Sequence, residues 1–141
     1  FKERFSNKTA IAPTASISII CGGASPGVEP IAANSYTHKT LSGSYNVRNR
    51  YLKKILEKHG RDNDETWSSI TTNQGSVSHL DFLTQHEKDV FKTAFELDQK
   101  WIIELGAERT PYVSQAQSIN IFLPADVHKK ELHQIHLSNI L

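Results

Sequence analysis

Strand-forming sequence is scarce in this chain, and what there is lies far apart. Thr9-Ala10-Ile11-Ala12 reads as a short buried strand stopped by Pro13. The stretch from Ser118 to Leu123, with Ile119, Ile121 and Leu123 on one face, reads as a second strand stopped by Pro124. Most of what separates them is patterned for helices. The order is strand, helix-rich insertion, strand, helix, which predicts α/β architecture. Two strands are too few to close a sheet, so the missing ones are expected from elsewhere in a longer chain.

Between the two strands, punctuation sets the elements. Ile17-Ser18-Ile19-Ile20 leads into Gly22-Gly23-Ala24-Ser25-Pro26-Gly27, a loop by composition. From Ser35 to Val47, aromatic and hydroxyl residues around a Ser42-Gly43 turn suggest a hairpin. Asn49 is placed to cap a helix with Tyr51, Leu52, Ile55 and Leu56 on one face. Gly60 closes it, and Lys58 and His59 suit the negative end of its dipole. A further helix is expected from Asp64 to Asn73, ended at Gly75 and capped by the acidic group Asp62, Asp64 and Glu65. Thr84-Gln85-His86-Glu87 is a capping box. One long helix is expected after it, carrying Val90, Phe91, Ala94, Phe95, Trp101, Ile102 and Leu105 and ended by Gly106, with Phe95 and Trp101 in the core. Asp126 should cap a final helix through Leu132 and Ile135.

A formal net charge of +1 over 141 residues gives no general attraction to nucleic acid or to an anionic membrane. No apolar run approaches the roughly 20 residues of a membrane span, and Phe1-Lys2-Glu3-Arg4-Phe5 does not resemble a signal peptide. Asn7-Lys8-Thr9 fits a glycosylation acceptor only by chance in such a chain. Cys21 is the single cysteine, so no internal disulfide forms, and a reducing, cytoplasmic setting is expected. The absence of methionine, and an ending at Ile140-Leu141 without a cap or polar tail, suggest an incomplete chain.

Chemistry concentrates in Ala12-Pro13-Thr14-Ala15-Ser16-Ile17-Ser18, where a strand hands over to a helix start. Backbone N–H groups lack partners at such a point and face outward, which suits an anion. Thr14 and Ser16 add hydroxyl donors, and Ala15 lets a phosphate approach the backbone. An equally simple reading makes Thr14 or Ser16 an ordinary N-cap with no ligand.

Pro13-Thr14-Ala15-Ser16, Ile19-Ile20-Cys21-Gly22-Gly23 and Ser25-Pro26-Gly27-Val28-Glu29-Pro30 form a series that resembles the large, catalytic subunit of class I ribonucleotide reductases. The likeness continues in Ala33-Asn34-Ser35-Tyr36, Thr40-Leu41-Ser42-Gly43 and Phe91-Lys92-Thr93-Ala94-Phe95-Glu96. Gln115-Ala116-Gln117-Ser118-Ile119-Asn120 and Leu123-Pro124-Ala125-Asp126-Val127-His128 extend it over nearly the whole chain.

The resemblance implies that residues 1–141 are an incomplete, helix-rich C-terminal segment of a ten-stranded α/β barrel. That barrel reduces ribonucleotides to deoxyribonucleotides by thiyl-radical chemistry. It implies a substrate diphosphate wrapped by Pro13, Thr14, Ala15, Ser16 and Ile17. Thr14 and Ser16 donate from their side chains, and Ala15 and Ile17 from the main chain. Relatives often carry another hydroxyl where Ile17 stands; here only its amide can serve. The implied partners are the remainder of the large subunit, a small radical-generating subunit and a nucleoside diphosphate. The implied radical cofactor belongs to that small subunit, electrons come from a dithiol reductant, and this segment binds no cofactor.

The family chemistry needs one cysteine as a radical and two more as a reducing pair, assisted by an asparagine and a glutamate. Cys21 cannot fill three places and lies outside those motifs, so no catalytic residue is assigned. The paired tyrosines that relatives carry beyond the stretch matching His133 to His136 are not found in Leu137-Ser138-Asn139-Ile140-Leu141. The remaining signals are weaker. His128, His133 and His136 lack a completing carboxylate or thiolate and read as surface or helix-end histidines. His38, His59, His79 and His86 are scattered, and Glu29 reads as a solvated loop carboxylate. The rival to an enzyme segment is a non-catalytic remnant serving as a small helical binding module.

Overall fold

The computed structural model describes residues 4–138. In chain order it shows α1 (Ala15–Ile20), β1 (Ser35–Thr40), β2 (Gly43–Arg48), α2 (Arg50–Lys58), α3 (Asp64–Thr72), α4 (Gln85–Val90), α5 (Lys100–Arg109) and α6 (Lys129–Ser138). Short 3₁₀ turns lie at Ala94–Glu96 and Thr110–Tyr112. Contacts divide the chain into two compact units. One is Ile31–Leu97; the other joins Phe1–Pro30 to Asp98–Leu141.

In the unit Ile31–Leu97, β1 and β2 pair antiparallel from Ser35↔Arg48 to Thr40↔Gly43, which leaves Leu41 and Ser42 as the turn. The expected hairpin is therefore present. Asn49 caps α2 as expected, accepting from the amides of Tyr51 at 3.0 Å and Leu52 at 3.4 Å. At the far end the amide of Arg61 reaches the Leu56 carbonyl and that of Gly60 reaches Glu57. With Gly60 at φ 65°, this is a Schellman closure. Leu52 and Leu56 of α2 meet Trp67 and Ile70 of α3, and Val77, Leu80, Leu83 and Phe91 complete the core. Each such side chain contributes about 1.5–3 kcal/mol of burial. Tyr51 departs from its expected face: it is exposed, with the Arg50 guanidinium 4.9 Å from its ring centroid.

The cap of α3 is Asn63, which accepts from the Thr66 amide at 2.8 Å. Asp62 instead accepts the Trp67 indole N–H, and Asp64 pairs with Arg48. After α3 both Gln74, at φ 57°, and Gly75, at φ 81°, take the left-handed region. Gly75 serves another need. A Cβ there would collide with that of Ala33 and lie 2.7 Å from its Cα. That close approach lets the Gly75 carbonyl accept both the main-chain and side-chain N–H of buried Asn34.

The long helix expected after Thr84 is broken. The capping box at Thr84 forms, with the Glu87 amide 3.3 Å from Thr84 Oγ1 and the Thr84 amide 2.9 Å from Glu87 Oε2. Yet α4 ends at Val90, because Thr93 and Glu96 make a second capping box three residues on. Thr93-Ala94-Phe95-Glu96 carried that signal, but the apolar periodicity hid it. Re-phasing leaves Phe95 48% and Trp101 63% exposed within the chain, so neither is a core residue here.

In the other unit, Ile102, Ile103 and Gly106 are the buried positions of α5. Gly106 does not end that helix, which runs on to Arg109; a Cβ on it would sit 2.7 Å from Ile119 Cδ1. The two expected strands are reduced to a single parallel bridge, Ile11↔Gln117. Flanking it, Gln115 N–H donates to Thr9 O and Ser118 N–H to Ile11 O. Parallel pairing of distant segments is the α/β signature, on a pair too short to count as strands. Finally, α6 begins at Lys129 rather than at Asp126. The His128 carbonyl accepts from Glu131 and Leu132, and its Nδ1 lies 3.1 Å from the Lys130 amide.

Candidate functional site: the Pro13–Ile17 turn

Where the bridged segment ends, Pro13 leads into Thr14 at φ 52° and ψ 28°, in the left-handed region. A β-branched residue is seldom found there, at a cost of about 1–2 kcal/mol. The first helical hydrogen bond of α1 is Ser18 N–H to Thr14 O at 2.8 Å. The amides of Ala15, Ser16 and Ile17 therefore precede the helical ladder. All three residues are exposed. With six residues, α1 adds little dipole, so the donors themselves carry any anion affinity.

Thr14 makes no side-chain cap, and this sets aside the ordinary N-cap reading for it. Its Oγ1 instead accepts from the Gly27 amide at 2.7 Å. A hydroxyl that accepts through one lone pair keeps its hydrogen for donation. Ser18 tightens the turn by donating to Ala15 O at 2.7 Å, and its own carbonyl accepts from Gly23 and Ala24. No lysine or arginine lies among residues 9–30. An anion held here would be held by neutral donors, a turn of amides supplemented by Thr14 and Ser16.

The glycine-rich loop returns to this turn through Gly27, at φ 56°, where an added Cβ would touch Ala12 O and Pro13 O at 3.5 and 3.6 Å. Glu29, expected to be solvated, is 5% exposed. Its Oε1 accepts the Asn120 amide at 2.8 Å and the Asn120 side-chain N–H at 2.7 Å. Cys21 is exposed at the end of α1. Among the described residues, no group of three or more His, Cys, Asp or Glu is arranged to hold a metal, and no helix is long and apolar enough to cross a membrane.

A second opening lies beside the hairpin in the unit Ile31–Leu97, near Ser35, Arg48, Asp64, Trp67 and Thr71. Its polar groups mostly satisfy one another. Arg48 pairs with Asp64 at 2.8 Å and lies 5.2 Å from the Trp67 ring centroid, and the Ser35 and Thr71 hydroxyls are 2.8 Å apart. That self-satisfaction makes it the weaker candidate.

Comparisons with known proteins converge on one family. The family described as "Ribonucleotide reductase, barrel domain" matches residues 3–139. The ribonucleoside-diphosphate reductase large subunit of Invertebrate iridescent virus 6 is 51% identical over 96% of this chain and 15% of its own length. That of Caenorhabditis elegans is 35% identical over 79% of this chain and 14% of its own length. Among solved structures, the Actinobacillus ureae class Id ribonucleotide reductase alpha subunit superposes with a TM-score of 0.81. It shares 41% identity, covering 92% of this chain and 23% of that one. The chain thus spans under a quarter of each of these relatives.

Proposed function

The chain belongs to the ribonucleotide reductase barrel-domain family, and on that premise we propose that it forms the substrate-diphosphate turn of a ribonucleoside-diphosphate reductase large subunit. Residues 1–141 are then a C-terminal part of the ten-stranded barrel. The other strands and the catalytic cysteines belong to the remainder of the large subunit.

The observation that carries this reading is the donor set. Three consecutive amides, at Ala15, Ser16 and Ile17, stand ahead of the α1 ladder, beside a Thr14 hydroxyl that already accepts from Gly27 and so points its hydrogen elsewhere. Pro13 sets the entry to the turn. These groups bind and orient the anionic tail of a nucleoside diphosphate, so the ribose is presented to groups outside this chain. Cys21, a lone exposed thiol at the end of α1, takes no part in the redox step. A radical cofactor in a separate small subunit starts the chemistry, and a dithiol reductant restores the cysteine pair. The single unpaired cysteine supports a cytoplasmic setting.

The test is substitution within the complete large subunit. Thr14→Ala and Ser16→Ala should each raise KM for the nucleoside diphosphate by about tenfold, since a hydrogen bond to a charged group contributes roughly 1.5–3 kcal/mol. Unchanged KM in both variants would remove the assignment.

A further inference from the structure

Thr14 is held in a conformation that its own side chain disfavours, so something must impose it. The direct restraint is the Gly27 amide on Thr14 Oγ1, at 2.7 Å. Gly27 lies at the far end of the glycine-rich loop, beyond the Gly23 and Ala24 amides that bond Ser18 O. Two residues on, Glu29 fastens that loop: its amide closes a turn onto Pro26 O, and its carboxylate is buried. One carboxylate oxygen takes both N–H groups of Asn120, 91 positions away in sequence. Asn120 follows directly on the segment whose Gln117 and Ser118 pair with Ile11, just ahead of Pro13. Both ends of the turn are thereby referred to the same backbone segment.

We propose that Glu29 is a positioning residue for substrate binding: by anchoring the Pro26–Glu29 turn to Asn120, it holds the Gly27 amide on Thr14 and so aims the Thr14 hydroxyl at the substrate's phosphate. This rests on the diphosphate reading above. Glu29 touches no reacting atom and acts only through Gly27 and Thr14. A buried carboxylate with this bonding is costly to leave unpartnered, so removing it frees the loop and the Asn120 donors together.

The experiment is steady-state kinetics of the complete large subunit with its small subunit, varying the nucleoside diphosphate, for wild type, E29A, E29Q, T14A and the E29A/T14A pair. The expected result for E29A is a KM raised roughly tenfold with kcat within about twofold of wild type. E29Q, whose amide oxygen can still accept from Asn120, recovers most of that loss. In the T14A background, E29A has little further effect, because the two substitutions break one chain of contacts. If E29A fails to fold, E29D, one methylene short of Asn120, replaces it with the same expected pattern. The proposal is overturned if E29A leaves KM unchanged, if it lowers kcat alone, if its effect adds in full to that of T14A, or if E29Q is no better than E29A. A T14A variant with wild-type KM would overturn this proposal, which acts through Thr14; wild-type KM in S16A as well would overturn the diphosphate reading itself.

Discussion

Thr14 occupies backbone space that most β-branched residues avoid, and its hydroxyl is committed to Gly27 rather than to its own helix. Strain stored beside uncommitted donors is a common feature of binding turns. Glu87 shows how strongly neighbours can fix a single carboxylate. The Thr84 amide, then the His59 ring, then the Thr84 hydroxyl draw its pKa from 4.5 down to about 2. A carboxyl with a depressed folded pKa contributes stability above its unfolded value and loses it as pH falls. Thermal unfolding between pH 5 and pH 2 should therefore show a steeper acid loss in the wild-type chain than in Glu87→Gln; equal slopes would deny the linkage. Gly75→Ala should destabilise the chain by about 2–4 kcal/mol, from the left-handed backbone and the collision with Ala33, as read by urea denaturation. Residue types were legible in the sequence at Pro13, Thr14 and Ser16, but environments were not. Glu29 sits between a proline and a glycine-rich loop, a context that reads as solvent-exposed; its partner Asn120 is too distant in sequence for any local pattern to reveal.

Several elements signalled by short-range chemistry formed where expected, although the cap of α3 is Asn63 and α6 starts at Lys129 rather than at Asp126. Asn49, the Thr84 capping box and the Gly60 closure each depend on contacts within a few residues, and the hairpin depends on its turn. What failed was the inference of one long helix from apolar periodicity. The Thr93–Glu96 capping box interrupts it, and burial of Ala94 with its amide on Ile31 O fixes the break. The two strands were legible as apolar runs, but an apolar run does not fix how far a segment pairs. Among the described residues, the Ile11–Gln117 bridge is the only ladder pairing between them. At this scale Leu52→Ala, at the fully buried α2–α3 contact, should cost about 2–5 kcal/mol in denaturant unfolding, whereas Thr84→Ala should cost about 1 kcal/mol through the lost cap. A Leu52→Ala variant as stable as wild type would show that this core does not hold the unit together.

The matched parts of the chain account for 15% and 14% of the length of two reductase large subunits that it resembles. Family membership was legible because short motifs recur in order along nearly the whole sequence, each constrained by local backbone geometry. The division into two compact units was not, because it follows from contacts between residues far apart in sequence. One thiol cannot act as both radical and reducing pair, so the 141-residue chain by itself should form no deoxyribonucleotide in a radiolabelled turnover assay. The most direct test is a structure of the complete large subunit with a nucleoside diphosphate bound. Phosphate oxygens are expected within hydrogen-bonding distance, about 3 Å, of the Ala15, Ser16 and Ile17 amides and the Thr14 hydroxyl. A diphosphate bound elsewhere, with this turn facing only water or protein, would contradict it.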